Sequence, residues 1–207
     1  MKKYDLSFLN SSGIQNNNRF LFILCSLFIF FVFLSSCQNK SREQNRDDGA
    51  DKYKQLVEKK INELQNNNLN RIISNQSVYF GLDSLNRTDL KQILPNCLFF
   101  FYFSHQTCAP CLQQTVECIW EVFPDYENDN RIIFISPDYP ARFKRNCYGK
   151  KLLTLSNSKL GIPLETENVP FIFTLNDKLV IEKLHIVDKN DFDKTLFFLK
   201  TFDENNH

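Results

Sequence analysis

The stretch that decides the fold is Cys97-Leu98-Phe99-Phe100-Phe101-Tyr102-Phe103, followed after four polar residues by Cys108-Ala109-Pro110-Cys111. Seven apolar residues without polar alternation suit a strand buried on both faces, in the middle of a sheet covered by helices. The residues after Cys108 change period. Leu112, Val116, Ile119, Trp120 and Phe123 recur on one side of a helix predicted over Ala109 to Phe123 and stopped by Pro124. Arg131 to Ser136, built on Ile132, Ile133, Phe134 and Ile135, reads as a second buried strand. Strand, helix and strand in that order make a βαβ unit with a right-handed crossover.

Downstream, Phe171 to Leu175 and Leu179 to Ile186 read as two strands joined by Asn176-Asp177-Lys178, a composition suited to a hairpin turn. Asp191 to Phe202 closes the chain as a helix with Phe192, Leu196, Leu199 and Phe202 on one face. Between the two halves, Pro137 to Asn168 is a connection with partial order. It holds a short helix around Ala141 to Cys147 and an apolar patch, Leu152 to Leu155.

Upstream, Leu69 to Gly81 supplies one or two strands, and Ser84 to Leu94 a helix carrying Leu85, Leu90, Ile93 and Leu94 that Pro95 ends. Asp51 to Asn66 has Leu56, Val57, Ile61 and Leu64 at helical spacing among charged residues. Residues 38–50 are too polar to offset chain entropy and read as a flexible tether. The chain has 21 Phe and only 5 Gly, so aromatic burial must do much of the packing.

The first residues read as an address. Lys2, Lys3 and Arg19 precede Phe20 to Leu34, an apolar run interrupted only by Ser26. It is shorter than the roughly 20 residues needed to cross a bilayer, as expected of a signal-peptide core. The run ends in Leu34-Ser35-Ser36-Cys37, which resembles the bacterial lipobox. That resemblance implies a signal peptide over 1–36 and lipidation of Cys37 as the mature first residue, anchoring the chain to a membrane. From Gln38 onward Lys+Arg number 22 and Asp+Glu 23, so charge gives no reason to expect a nucleic-acid partner.

Export permits disulfides that the cytosol would reduce. Outside the leader and anchor, Cys97, Cys108, Cys111, Cys118 and Cys147 remain, and five is an odd count for a purely structural framework. Cys108 falls where a strand hands over to a helix, so unpaired backbone N–H groups and the positive end of the helix dipole favour a thiolate there. Pro110 in the first turn sacrifices no needed hydrogen bond. Cys111 lies on the same face, within reach of a small disulfide ring. Cys108 is expected to attack and Cys111 to resolve. Cys97 and Cys118 read as small core residues, and Cys147 as the most exposed of the three others. Trp120 is expected in the core, and His185 and His207 toward solvent.

These residues resemble the thioredoxin superfamily, and within it the membrane-tethered TlpA-like oxidoreductases of bacterial envelopes. The likeness spans about residues 69–203 in order of elements, but only Cys-Ala-Pro-Cys is specific. It implies an α/β fold, a central mixed sheet with flanking helices, over 69–207, preceded by the anchor, tether and helix of 37–68. It implies client proteins with cysteine thiols or disulfides, a membrane thiol electron donor for a reductant, a domain facing the periplasm or the surface, and no cofactor. It also carries over Val169-Pro170, directly before the strand Phe171 to Leu175, as the segment facing the disulfide. In the family that proline follows a cis bond. The pattern departs from the family at Thr107, where a Trp is usual, at Tyr102, where thioredoxin has a buried acid, and at Gln114 and Val116.

Two other chemistries fit parts of the sequence. A binding module would use the Pro170 groove and the Asp51 to Asn66 helix without redox turnover. A copper or zinc carrier would use His105, Cys108 and Cys111 as soft ligands, with no clear fourth; no metal is assigned.

Overall fold

The computed structural model describes residues 49–203, so the leader, Cys37 and His207 lie outside the described residues. The chain divides between Val57 and Glu58. Helix α1 covers residues 49–68. Its first part, up to Val57, exposes Tyr53 and Leu56. Its second part belongs to the larger unit, where Ile61 and Leu64 pack on the core. Gln65 Nε2 there donates to the Leu184 carbonyl at 2.7 Å.

Among the described residues of the larger unit, seven strands form one mixed sheet. They are β1 (Ser77–Phe80), β2 (Thr88–Asp89), β3 (Phe99–Tyr102), β4 (Ile132–Ile135), β5 (Leu153–Leu155), β6 (Phe171–Leu175) and β7 (Ile181–Ile186), in the order β2-β1-β5-β4-β3-β6-β7. Strand β3 runs parallel to β4, with Phe99 opposite Ile132 and Tyr102 opposite Ile135. It runs antiparallel to β6, with Tyr102 opposite Phe171. Strand β7 pairs antiparallel to β6, and β5 joins β4 in parallel through Ile135 and Leu153.

The uninterrupted apolar run is explained by burial on both sides. Phe99, Phe101 and Phe103 face helices α3 (Ala109–Val122) and α5 (Phe192–Asp203), among Leu112, Ile119, Leu199 and Phe202. Phe100 and Tyr102 face the other way, among Ile73, Leu90, Leu164 and Leu184. Cross-strand rings bind the sheet: Phe100 stacks on Phe173 at 5.1 Å and Tyr102 on Phe171 at 4.6 Å. Such aromatic pairs add about 0.5–1.5 kcal/mol each beyond area burial. The α/β architecture is therefore the one expected, a central mixed sheet flanked by helices.

Several local expectations are corrected. The helix expected over Ser84 to Leu94 is reduced to one turn, α2 (Leu90–Ile93), with a 3-10 turn at Leu94–Asn96. Thr88 and Asp89 pair with β1 instead, and Leu85 is almost wholly exposed, so the apolar spacing there was not one face. The helix around Ala141 to Cys147 shrinks to α4 (Ala141–Lys144), and the Leu152 to Leu155 patch is strand β5. The second hairpin strand starts at Ile181, because Leu179 takes a left-handed φ of 62° in the turn.

Three side chains sit opposite to expectation. Trp120 is 61% exposed, because the stripe Leu112, Val116, Ile119 and Phe123 already fills the sheet-facing side of α3. His185 is buried between β7 and α5. Cys147 is also buried, in the core with Phe134 and Leu152, where its backbone bridges Lys150.

Candidate functional site

Cys108 is the N-cap of α3, with extended backbone (φ −60°, ψ 131°), and its Sγ accepts from the Cys111 N–H at 3.2 Å. Pro110 lies in the first turn, as the sequence implied. Cys108 and Cys111 are joined in a disulfide, with Cα atoms 5.3 Å apart. Cys108 is the more exposed residue of the pair, and Cys111 is half-buried. The other thiols are differently placed. Burial raises Cys97, and pushes both Cys118 and Cys147 up to about 11. Thiols held protonated in this way are poor nucleophiles.

The loop between β3 and α3 is tied down by side chains from two distant loops. Ser104 and Thr107 close a turn, Thr107 N–H donating to the Ser104 carbonyl at 3.1 Å and Ser104 N–H to Thr107 Oγ1 at 3.1 Å. From the segment before β6, Asn168 receives two hydroxyls: Ser104 Oγ donates to its Oδ1 and Thr107 Oγ1 to its carbonyl, each at 3.3 Å. From the loop after β4, Asp138 holds His105 twice, accepting its N–H at 3.0 Å and pairing with Nδ1 at 2.7 Å.

Val169 and Pro170 directly follow Asn168, the residue that bonds the loop ahead of Cys108. Val169 is half-buried and Pro170 buried, its carbonyl accepting from the Val187 N–H at 3.0 Å. The Val169-Pro170 bond is trans, unlike the cis bond that the resemblance implied.

A cleft of about 470 Å³ opens beside this loop, lined by Tyr102, Ser104, Asp138, Glu165 and Asn168 among others. Tyr102 stands six residues before Cys108. Its phenol is held protonated by burial, then by the nearby charges of Glu165 and Asp138 and a hydrogen bond to Glu165. It is no substitute for a carboxylate base. Glu165 itself accepts three backbone N–H groups, from Leu160 and Gly161 at 2.8 Å and Ile162 at 3.2 Å.

The ligands of the metal reading are not gathered: among the described residues no three His, Cys, Asp or Glu side chains form a metal-binding group. His105 is instead engaged with Asp138. The residues that the sequence did not single out are Asp138 and Asn168. Asp138 is 33 residues from His105, and Asn168 is 64 from Ser104 and 61 from Thr107. No local pattern marks contacts made across such separations, although Asn168 directly precedes the Val169-Pro170 segment.

No family model matches the chain, and no curated protein does. Among solved structures, a thioredoxin-like protein from Porphyromonas gingivalis is similar at 15% identity and a TM-score of 0.45, covering 68% of this chain and 97% of its own. A thioredoxin-like protein from Bacteroides caccae matches at 14% identity and a TM-score of 0.40, covering 71% of this chain and 56% of its own. A reduced 2-Cys peroxiredoxin from Plasmodium vivax matches at 9% identity and a TM-score of 0.40, covering 67% of this chain and 98% of its own.

Proposed function

We propose that this chain is a thiol–disulfide oxidoreductase of the bacterial cell envelope, lipid-anchored at Cys37, that exchanges electrons with cysteines of client proteins. The observation that carries the reading is the Cys108–Cys111 disulfide at the start of α3, with Cys108 exposed and Cys111 half-buried. The lipobox-like Leu34 to Cys37 supports the anchor and a domain facing the periplasm or the surface. Val169 and Pro170, which follow Asn168, form the client-facing segment.

In the reducing direction, the Cys108 thiolate attacks a client disulfide. The client S–S bond breaks, one client sulfur leaves and takes a proton from water, and the other stays bonded to Cys108. Cys111, giving its proton to solvent, then attacks Cys108 Sγ and releases the second client thiol. Two electrons pass to the client and the protein is left as the disulfide. A membrane thiol carrier restores the dithiol. The reverse sequence donates the disulfide, and the potential against the partner sets the direction.

The roles are separable by trapping. A Cys111→Ser variant should accumulate a mixed disulfide between Cys108 and a disulfide-bearing client peptide, visible as an added mass. Cys108→Ser should not. Equal adducts on both variants, or none on either, would remove the assignment.

A further inference from the structure

Asn168 does more than end a turn. It caps the 3-10 helix Pro163–Glu167 in the left-handed region (φ 54°, ψ 25°), which places its side-chain oxygen and its carbonyl on the same neighbour, the loop ahead of Cys108. Both loop hydroxyls are used twice. Ser104 Oγ accepts from the Gln106 N–H at 3.1 Å while donating to Asn168 Oδ1, and Thr107 Oγ1 accepts from the Ser104 N–H while donating to the Asn168 carbonyl. Ser104 and Thr107 are buried while Asn168 is exposed, so the Ser104 N–H to Thr107 Oγ1 bond is out of water and the two bonds to Asn168 are partly shielded. Thr107 immediately precedes Cys108, so the network fixes the backbone from which the attacking sulfur hangs.

We infer that Asn168 is a positioning residue for the redox pair, acting through Ser104 and Thr107 to hold Cys108 over Cys111 when both are thiols. This rests on reading Cys108 and Cys111 as a reversible couple. The disulfide constrains the loop by itself, but the dithiol does not, so the network matters most in the reduced state. A loop held in place there raises the effective concentration of one thiol against the other and favours ring closure. Loosening it leaves the dithiol more freedom to lose, and the equilibrium moves toward the reduced form.

The test is the equilibrium in which protein dithiol and oxidised glutathione give protein disulfide and two reduced glutathione, two electrons and two protons passing to glutathione. Asn168→Gly keeps the left-handed backbone at no steric cost and removes only the side chain. Asn168→Asp keeps an acceptor for Ser104. Thr107→Val removes both bonds of that hydroxyl, and Thr107→Ser restores them. N168G and T107V should each lower the equilibrium constant for disulfide formation about three- to ten-fold, the weight of one neutral hydrogen bond. N168D and T107S should stay within about two-fold of the parent, and the melting temperature of N168G in the reduced state should match that of the reduced parent, the loss of stability falling on the disulfide form. Parental constants in N168G and T107V, or equal displacement by N168D and T107S, would overturn the inference. A parent that never interconverts would overturn the redox reading and this inference with it, a result distinct from the first two.

Discussion

His185 Nε2 lies 2.9 Å from Thr195 Oγ1, joining the last strand to the last helix inside the core. The imidazole also stacks on Phe198 at 5.0 Å. Burial, and then Lys194, lowers its pKa to about 4 from the ordinary 6.5, with Asp188 and Asp191 opposing. Between those values the unfolded chain binds a proton that the folded chain refuses. Stability is therefore lost as pH falls from 6.5 toward 4, by on the order of 3 kcal/mol, and levels off below. Denaturant midpoints across this window should show the slope in the parent and a flatter one in His185→Gln. Equal slopes would place the titration elsewhere.

Lys150 is buried, and its ammonium donates to the carbonyls of Tyr126 at 3.0 Å and Asp129 at 2.8 Å, with Glu127 at 3.4 Å. It closes the loop that leads from α3 into β4. Lys150→Met keeps the stem but strands those carbonyls, and should cost about 1–3 kcal/mol. Urea unfolding measures it. No change would mean that water replaces the ammonium.

Phe101 sits wholly buried between Phe103 and Phe134, each ring 5.1 Å away. Phe101→Ala should destabilise the fold by about 3–5 kcal/mol, and Phe101→Leu by less. Thermal unfolding of the two variants compares them directly.

Burial holds Cys97, Cys118 and Cys147 in the thiol form. After gentle reduction at pH 8, iodoacetamide should label Cys108 at least about a hundred-fold faster than any of these three. Peptide mass mapping gives the rates. Labelling of Cys147 at the rate of Cys108 would show that its core site opens readily.

What the sequence displayed of this fold was whatever the period of burial imposes. Strand β3 was readable because both its faces are covered, α3 and α5 because one stripe of each packs on the sheet, and β6 because it borders β3. Leu85, Trp120 and His185 were misread for a shared reason. Their burial depends on which partner the tertiary fold brings to them, and spacing alone carries no such information. The site divides in the same way. The two cysteines and Pro110 announce themselves in four residues, whereas Asp138 and Asn168 reach the loop only once β4 and β6 flank β3.

The central claim is that Cys108 and Cys111 form a reversible redox couple. Equilibrating the protein across a series of glutathione ratios, followed by acid quench and alkylation, measures it most directly. The account predicts one two-electron transition between dithiol and disulfide, confined to Cys108 and Cys111, and its midpoint sets the direction of exchange. A pair that stays locked in one state across the series, or a transition carried by other cysteines, would contradict it.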